Sequence, residues 1–407
     1  MKSRRALASR LVVALVVVLA GVGLGSLVSQ FPVDRVAVAS NVRALPATTL
    51  TTADLVTSQT AFQQVYTKVN PSVVNIQVIE QAVTAPSGRR NPLGNAPQSQ
   101  APASALGSGF VWDKQGDIVT NNHVVNGASR ITVTFADGTT VDAKLVGADP
   151  DSDLAVIKVD VPADKLAPVE VADSTKAGVG QIVIAIGNPF GLAGTMTQGI
   201  VSGLERTLPA GSDTSASQTG AGYSIPDIIQ TDASINPGNS GGVLVDIDGK
   251  LLGVTAAIES SSNSSAGVGF VIPSAIVNKV APALISSGKI AHSWLGLSGT
   301  TLTPDLATAM NLKADQNGAL VVTVTPNGPT SKAGLQASGQ TASVNGQQLP
   351  VGGDVITAIN GHAVQHFDDV ISYLFSNTNL GQTITLTILR GGQQQDVQVT
   401  LAERPAQ

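Results

Sequence analysis

The chain has 407 residues, of which 43% are hydrophobic and 13% charged, and its net charge is −5 at neutral pH. This length suits two or three domains, and the charge argues against the strongly basic surface that nucleic-acid binding requires. The chain has no cysteine, which excludes disulfides, thiolate metal sites and a cysteine nucleophile. With 42 glycines and 3% aromatic residues, the composition favours β structure with tight turns.

The chain begins with four basic residues between positions 2 and 10, followed by the apolar run Leu11–Val28. A helix over this run would be roughly 27 Å long, close to the thickness of the hydrocarbon core of a bilayer. Basic residues stay on the cytoplasmic side, so residues 1–29 are predicted to be a single-pass anchor in the cell membrane, with the rest of the chain outside the cytoplasm. A cleaved signal segment, which would leave a secreted or periplasmic protein, is the alternative.

Residues 30–60 are rich in Thr, Ala and Ser and predict a linker. A short helix over Ala61–Val69 and a strand over Val73–Val78 are predicted next, and the Pro- and Gly-rich residues 85–105 predict a mobile loop. Strand-like runs then follow at Gly109–Trp112, Ile118–Thr120, Ile131–Phe135, Leu154–Val159, Ile182–Ile186, Thr197–Ser202, Ile228–Thr231, Gly242–Val245, Leu251–Ala256 and Gly269–Ile272. Because no helical period of useful length separates them, these runs predict antiparallel barrels or a sandwich.

The last third of the chain changes pattern. Ser274 is predicted to cap a helix that ends before Gly288 and that Pro282 kinks or splits. From about residue 290 the pattern predicts one α+β domain, with a helix whose apolar residues recur from Phe367 to Phe375. Its strands and hairpin turn are predicted at Leu295–Ser298, Ala319–Val324, Val355–Ile359, Thr383–Leu389, Gly391-Gly392 and Val397–Leu401.

The candidate nucleophile is Ser240, in the segment Gly238–Gly242, where Asn239 is the remaining residue that is not glycine. Glycines on both sides allow backbone conformations that a Cβ atom would forbid, and they let the chain approach a substrate. Such a turn can present the serine hydroxyl while nearby N–H groups point at one spot, as an oxyanion hole requires.

A serine hydroxyl is a poor nucleophile unless a base takes its proton. The chain has four histidines. His292, His362 and His366 lie in or at the edge of the predicted C-terminal domain. His123 alone lies in the barrel region, directly after a predicted strand whose end can project it, and it is therefore the candidate base.

The imidazole needs a carboxylate that sets its tautomer and stabilises its charged form. Asp153 is preferred because it directly precedes the apolar run Leu154–Ile157, and Asp151 is the alternative. The spacing Gly-x-Ser-x-Gly also matches the nucleophile elbow of α/β-hydrolases, but that fold places a helix after the serine and the histidine last. The order His, Asp, Ser among antiparallel strands fits the two-barrel chymotrypsin arrangement instead.

The chain resembles the HtrA (high-temperature-requirement) family of trypsin-like serine proteases with a C-terminal PDZ domain. The resemblance covers residues from about 60 to 403 and rests on Leu106–Phe110, Thr120–Val125, Asp151–Ile157, Ala185–Gly191, Gln230–Asn236 and Gly238–Gly242. It implies a mainly β fold, a chymotrypsin-like double antiparallel β-barrel followed by an α+β PDZ domain, and a homotrimer or higher oligomer. It also implies His123, Asp153 and Ser240 as the catalytic triad and the N–H groups of Gly238 and Ser240 as the oxyanion hole.

The substrate pocket follows in part from the same resemblance. Trypsin-like enzymes that select Arg and Lys carry an Asp six residues before the nucleophile, where this chain has Ser234. Ile235 and Ile258 are therefore expected to line a small apolar pocket, with cleavage after Val, Ala or Ile. Plain core packing is the alternative for Ile258.

In the C-terminal domain, Trp294, Leu295, Gly296 and Leu297 match the carboxylate-binding loop of the family. Backbone N–H groups of that loop capture a peptide C-terminus, and the peptide adds as a strand beside the predicted helix. This chain departs from the family in an insertion over Gln336–Gly352, which is expected to cover or extend the peptide groove.

These patterns predict an exported serine endopeptidase that degrades unfolded proteins, is regulated by peptide C-termini at its PDZ domain, and uses no metal or cofactor. The predicted protease domain is 61–288 and the predicted PDZ domain 289–403, after the anchor and the linker. The loops expected to set the oxyanion hole are 189–196, 205–224 and 260–267. A membrane-tethered chaperone or peptide-binding scaffold with a latent protease site is the alternative. An esterase is disfavoured because a PDZ domain serves protein ends.

Overall fold

The structure is a computed structural model that describes residues 52–80, 104–188, 194–209, 224–258 and 267–405. The predicted anchor, most of the predicted linker and nearly all of the loop 85–105 lie outside these residues. Within the described ranges, no helix is both long enough and apolar enough to cross a membrane.

Two closed six-stranded barrels follow one another along the chain. The first is formed by β1 (Val73–Glu80), β2 (Ser104–Val111), β3 (Asp117–Asn121), β4 (Ala128–Thr134), β5 (Thr140–Asp149) and β6 (Leu154–Val159). The second is formed by β7 (Ile182–Gly187), β8 (Thr195–Pro209), β9 (Ser224–Thr231), β10 (Val243–Val245), β11 (Leu251–Ile258) and β12 (Gly269–Pro273). All ladders in both barrels are antiparallel, which confirms the predicted double-barrel fold. The pattern did not predict β5, because charged residues interrupt its apolar ones and most of the strand is exposed or half-exposed.

The side-chain period of two along each strand divides the apolar residues between separate cores. Val74, Ile76 and Val78 on β1 point into the first barrel. Phe110 of the first barrel and Ile186 of the second lie instead in a core between the barrels, where each is at most 1% exposed. Burying each such side chain is worth about 1.5–3 kcal/mol, so the barrels are held face to face by the same kind of packing that fills them.

The helix before the first strand is longer than predicted. Helix α1 spans Thr52–Val69, so residues 52–60 of the predicted linker are helical. Its contacts with the core come from its C-terminal half, where Val65 and Val69 are 4% and 1% exposed. Residues 56–61 are exposed and carry no apolar period, which is why the sequence pattern did not predict that part of the helix.

Two helices lie beside the barrel strands, one between β3 and β4 and one after β12. Helix α2 spans Asn122–Val125, and helix α3 spans Ser274–Ser287 and ends, as predicted, before Gly288. The prediction that Ser274 caps α3 is wrong, because Pro273 occupies the capping position and the Ser274 hydroxyl donates to the Ala172 carbonyl at 2.7 Å. The helix also continues through Pro282 without splitting.

The C-terminal part contains a main sheet in which β14 (Leu297–Thr301), β15 (Ala319–Val324), β18 (Val355–Ile359), β20 (Thr383–Arg390) and β21 (Gln393–Thr400) follow in that order, so β14 is an edge strand. As predicted, a hairpin turn at Gly391-Gly392, with positive φ at both residues, joins β20 to β21. The elements of this part are β13 (Ser293–Trp294), β14 (Leu297–Thr301), α4 (Pro304–Ala309), β15 (Ala319–Val324), α5 (Pro329–Lys332), β16 (Gln340–Val344), β17 (Gln347–Val351), β18 (Val355–Ile359), β19 (His362–Ala363), α6 (Phe367–Asn377), β20 (Thr383–Arg390), β21 (Gln393–Thr400) and β22 (Ala402–Glu403).

The insertion over Gln336–Gly352 forms a two-stranded hairpin, β16 and β17. Leu349 and Val351 of this hairpin pack with Leu302 and Leu306 at α4. The hydrophobic cluster that holds the hairpin contains no residue of helix Phe367–Asn377, beside which a peptide strand was predicted to add.

The C-terminal part contacts both barrels. On α6, the Ser372 hydroxyl donates to Asp227 Oδ1 of β9 at 2.6 Å. At the other end of this interface, His292 Nε2 lies 2.9 Å from Asp149 of the first barrel, and Arg404 Nη1 lies 3.7 Å from Asp151 Oδ2. The turn after β5 is therefore covered by the C-terminal part of the chain.

Burial raises the pKa of Asp151, and Asp149 adds to this effect while Arg404 and His292 oppose it. A raised pKa means that the folded chain holds the proton more tightly than the unfolded chain. At pH values above the ordinary pKa of about 3.9, the ionised carboxylate therefore lowers the free energy of unfolding. We expect Asp151→Asn to raise the melting temperature at pH 7 by about 1–3 °C, and to raise it less at pH 4 and hardly at all at pH 3. Thermal melts of the full chain at the three pH values check this, and a lower melting temperature for the variant at pH 7 would contradict it.

Candidate active site

The structure brings His123 and Asp153 together. His123 Nδ1 lies 2.7 Å from Asp153 Oδ2, and the His123 backbone N–H donates to Asp153 Oδ1 at 3.0 Å. The His123 side chain is 45% exposed and the Asp153 side chain 15% exposed. The carboxylate is thus shielded while the imidazole faces solvent. Asp151, the alternative, pairs with Arg404 instead.

The position of His123 follows from the end of β3. Asn121 closes that strand, and helix α2 begins at the next residue, which turns His123 out of the barrel wall. The Asp153 carbonyl accepts from the Asn122 N–H at 3.0 Å and from Asn121 Nδ2 at 2.9 Å. These two bonds tie the turn that carries Asp153 to the segment that carries His123.

The segment around Ser240 has the backbone freedom predicted from its glycines, since φ is 95° at Gly238 and 84° at Gly241. Asn239 N–H donates back to Asn236 O at 2.9 Å, which closes a tight turn. Within the described residues, the N–H groups of Gly238 and Ser240 donate to no protein acceptor. Two adjacent free donors are the feature that an oxyanion hole needs.

Ser108 and Thr120 were not proposed as functional residues, yet they connect the two halves of the site. The Ser108 N–H donates to Ser240 O at 2.8 Å, and the Ser108 hydroxyl donates to Gly238 O at 2.6 Å. The Thr120 hydroxyl donates to Ser108 O at 2.7 Å. Since Thr120 lies on β3, three residues before His123, this chain of bonds sets the Ser240 loop against the strand that leads to the histidine. The only sequence feature that could have pointed to Ser108 is the Gly-Ser-Gly pattern around it.

The Ser240 hydroxyl donates to the Ala256 carbonyl of β11 at 3.0 Å. Within the described part of the chain, no hydrogen bond joins this hydroxyl to His123. The site therefore holds an oriented histidine and a serine that is paired with the barrel backbone.

Gly241 is the most tightly enclosed residue of the loop. A Cβ atom there would lie 2.1 Å from Ser108 O and 2.5 Å from Thr120 Oγ1, at a φ of 84°. We expect Gly241→Ala to force the Ser240 loop away from β2, to lower kcat/KM by about 10²-fold and to destabilise the chain by about 2–4 kcal/mol. Kinetics and thermal melts measure both effects.

Gly138→Ala is the matched control for that substitution. Gly138 has a nearly equal φ of 83°, but an added Cβ atom would meet nothing within 4 Å. Gly138→Ala should lower the free energy of unfolding by only about 1–2 kcal/mol, the cost of a Cβ atom in the left-handed backbone conformation, and should leave kcat and KM unchanged. Equal kinetic losses in both variants would show that strain, and not displacement of the loop, explains the effect.

Of the two residues proposed for the substrate pocket, Ile235 contacts Gly269 through its side chain and Ile258 pairs with Gly269 along the backbone. Ile235 is 1% exposed, and a Cβ atom on Gly269 would lie 2.7 Å from Ile235 Cδ1. Ile258 is the last residue of β11 and pairs with Gly269 in the ladder between β11 and β12. Ile235 is thus part of the core of the second barrel, and Ser234 beside it is exposed.

In the predicted carboxylate-binding loop, Gly296 has a φ of 76° and precedes the edge strand β14, which begins at Leu297. Trp294 pairs with Ala402 in a short ladder, and Leu295 is 2% exposed. Within the described residues, the N–H groups of Leu295 and Gly296 donate to no protein acceptor. Two free donors beside an unpaired strand edge can hold a carboxylate.

One group of described residues has the donor types and the spacing of a metal site, namely Asp149, Asp151 and His292. Its atoms already bond to one another, because His292 Nε2 contacts both oxygens of Asp149 at 2.9 Å and Asp151 pairs with Arg404. The sequence analysis predicted no metal site because the histidines are dispersed, and His292 and Asp149 are distant along the chain.

Known protein families and individual proteins are similar to most of this chain. The trypsin-like peptidase domain family matches residues 107–254, and the PDZ domain family matches residues 296–401. The chain is 44% identical over 299 residues to Protease Do-like 1, chloroplastic, of Arabidopsis thaliana, across 74% of this chain and 64% of the relative. It is 38% identical over 343 residues to the periplasmic pH-dependent serine endoprotease DegQ of Escherichia coli (strain K12), across 82% of this chain and 68% of the relative.

Among solved structures, the HtrA-type protease AlgW with tripeptide is 33% identical, with a TM-score of 0.66 over 85% of this chain and 98% of that chain. The chain spans 53% of the length of a DegP-like relative from Brucella suis and 64% of the Arabidopsis relative, about half to two thirds of these proteins. It covers DegQ and AlgW over more than two thirds of their length at more than 30% identity. The chain therefore belongs to the HtrA family of trypsin-like serine proteases with a PDZ domain.

Proposed function

We propose that the chain is a serine endopeptidase in which Asp153 orients His123 and His123 takes the proton of Ser240. The observation that carries this proposal is the 2.7 Å hydrogen bond between His123 Nδ1 and Asp153 Oδ2. A proton held on Nδ1 leaves Nε2 as the basic nitrogen, which is the tautomer that a general base requires.

In the proposed reaction, Ser240 Oγ attacks a peptide carbonyl as its proton passes to His123 Nε2. The free N–H groups of Gly238 and Ser240 stabilise the negative oxygen of the tetrahedral intermediate. His123 then protonates the leaving amine, and a water molecule hydrolyses the acyl-enzyme by the same steps. The pocket at Ser234, Ile235 and Ile258 would select a small apolar residue before the cut.

The bond from the Ser240 hydroxyl to the Ala256 carbonyl supports a resting state in which the nucleophile is not yet paired with its base. A hydroxyl rotates freely enough to exchange partners, and catalytic hydrogen bonds often tighten only with substrate bound. The same bond favours the second candidate function, a chaperone or peptide-binding scaffold with a latent protease site.

Incubation of the purified full chain with casein, an unfolded protein, tests the proposal. We expect cleavage after Val, Ala or Ile, read from the sequenced product ends, and loss of cleavage after treatment with a fluorophosphonate that labels serine. If casein stays intact at raised temperature and with added C-terminal peptides, while aggregation of a heated client is suppressed, the scaffold function replaces the protease.

We also propose that the loop Trp294–Leu297 binds peptide C-termini and that such peptides regulate cleavage. The free N–H groups of Leu295 and Gly296 would hold the terminal carboxylate, and the peptide would add to the β14 edge beside α6. Peptides with a free C-terminus should bind about ten-fold more tightly than the same peptides amidated, because the bonds to a charged group are stronger. Equal binding of both forms, measured by fluorescence anisotropy, would contradict the proposal.

We propose residues 61–288 as the protease domain and 289–403 as the PDZ domain, bounds that enclose both family matches.

We further propose that residues 1–29 anchor the chain in the cell membrane with both domains outside the cytoplasm. We also propose that the protein acts in protein quality control and that it assembles into a trimer or larger oligomer. The export is supported by the basic N-terminus before an apolar run and by relatives named as periplasmic. Digestion by a protease added to intact cells tests the location of the domains, and light scattering of the purified protein tests its assembly.

A further inference from the structure

The turn that carries Asp153 is held on its far side by a histidine of the C-terminal part. Strand β5 ends at Asp149, β6 begins at Leu154, and these two residues are cross-strand partners. His292 Nε2 lies 2.9 Å from both carboxylate oxygens of Asp149. The side chains of His292 and Asp149 are 9% and 4% exposed, so this bond is shielded from solvent. A buried carboxylate needs such a partner, because it has lost the hydration of water.

The Asp149 carboxylate in turn organises the residues that lead to Asp153. Its Oδ2 accepts from the Ser152 hydroxyl at 2.5 Å, and its Oδ1 accepts from the Asp151 N–H at 3.3 Å. Ser152 is fully buried, and the next residue, Asp153, has a φ of 53°. A non-glycine residue keeps such a strained conformation only when its surroundings hold it there. Asp149 is the acceptor at the centre of that support.

His292 is itself held in place by the C-terminal part. Its ring stacks on Phe375 of α6, with centroids 5.5 Å apart and planes inclined by 26°. Its carbonyl accepts from the Arg404 N–H at 3.1 Å, and Arg404 also pairs with Asp151 at 3.7 Å. The imidazole is therefore presented to Asp149 by two elements of the C-terminal part, and one of them is the helix that borders the proposed peptide groove.

We propose that His292 and Asp149 are positioning residues for the pair His123 and Asp153. The inference rests on the proposed function, in which that pair activates Ser240. Neither residue contacts the reacting atoms. The N–H donor of His292 holds the Asp149 carboxylate in place, and that carboxylate holds Ser152. Because Asp153 is the next residue, its backbone and carboxylate are positioned by the same bonds. The protease site is then complete only when the C-terminal part is docked on the turn after β5.

The test uses the full chain and three substitutions. His292→Phe keeps a ring on Phe375 but removes the donor, and His292→Gln keeps an N–H donor near the position of Nε2. His362→Phe is the matched control, because His362 is an exposed histidine of the same domain whose ring lies beside that of Tyr373, with centroids 5.3 Å apart. The readouts are kcat and KM for a peptide that the parent chain cleaves, together with the rate of fluorophosphonate labelling.

We expect His292→Phe to lower kcat and the labelling rate by about 10²-fold, the size that a small misplacement of a catalytic group causes. KM should stay within about two-fold, because the lost interaction acts in the transition state. His292→Gln should recover most of the loss, and His362→Phe should match the parent. Parent-like kcat in His292→Phe, or equal losses in the Phe and Gln variants, would overturn the inference.

Proton NMR separates this inference from the proposed function. The proton shared by His123 Nδ1 and Asp153 gives a far-downfield imidazole signal, identified by its absence in Asp153→Asn. If the parent chain cleaves nothing, the proposed function fails, and the NMR signal still decides the positioning role. The positioning role is supported if the parent and His292→Gln show the signal and His292→Phe does not. It is overturned if His292→Phe shows an unchanged signal. If His292→Phe does not fold, the role is overturned when a folded His292→Gln lacks the signal.

Discussion

Ser240→Ala should abolish casein cleavage, with kcat lowered by about 10⁶-fold as when a catalytic serine is removed from a comparable protease. The loss is this large because the acyl-enzyme cannot form without the hydroxyl, and water attacks without the help of a covalent intermediate. What remains would come from substrate binding and from the free N–H groups of Gly238 and Ser240. Initial rates on casein and on one peptide, for the parent and for the variant, measure the effect.

The fold should be unaffected, since among the described residues Ser240→Ala removes a single bond, from the hydroxyl to the Ala256 carbonyl. Ser286→Ala is the matched control, because Ser286 is exposed near the end of α3 and its hydroxyl bonds only the local Ala283 carbonyl. Cleavage by Ser240→Ala at more than a thousandth of the parent rate, with a normal thermal melt, would mean that Ser240 is not the nucleophile.

Asp153→Asn should lower kcat by about 10⁴-fold while KM changes little. The amide group can turn an N–H toward His123 Nδ1, and the histidine then carries its proton on Nε2, where it cannot accept the proton of Ser240. The shape of the side chain is retained, so the bonds from the Asn122 N–H and from Asn121 Nδ2 to the Asp153 carbonyl remain. Steady-state kinetics near neutral pH give both parameters.

Asp151→Asn is the informative comparison, because the sequence offered either carboxylate as the third member of the triad. In the structure Asp151 pairs with Arg404, so its amide variant should keep kcat within about three-fold, as expected when no transition-state interaction is lost. If Asp151→Asn is the more damaging of the two, the assignment of the orienting carboxylate to Asp153 is wrong.

Local sequence patterns were sufficient for eleven of the twelve barrel strands and for a hairpin turn of the C-terminal domain. The run Leu154–Val159 was predicted with its bounds, because a short apolar run with β-branched residues is typical of a buried strand. The turn at Gly391-Gly392 was predicted because its two positive φ values favour glycine. The role of His123 followed from scarcity, since four histidines leave few candidates for a base.

The same patterns failed where burial depends on distant parts of the chain. Helix α1 begins nine residues before the predicted helix start at Ala61, within a segment that has no apolar stripe. Strand β5 carries charged residues between its apolar ones and is defined by its ladders to β4 and β6. In both cases the neighbours in space supply the hydrogen bonds and the packing, and no local period announces them.

By itself, the sequence determined the fold class and the residue types of the site, because strand alternation, turn glycines and the order His, Asp, Ser are all local or nearly local features. The tertiary structure alone decided that Asp153 and not Asp151 faces His123, that Ser108 ties the Ser240 loop to the first barrel, and that His292 reaches Asp149. The physical reason is that hydrogen bonds are set by position within a few tenths of an ångström. These partners are 30 to 143 positions apart along the chain, and they reach that proximity only when the cores between them have formed.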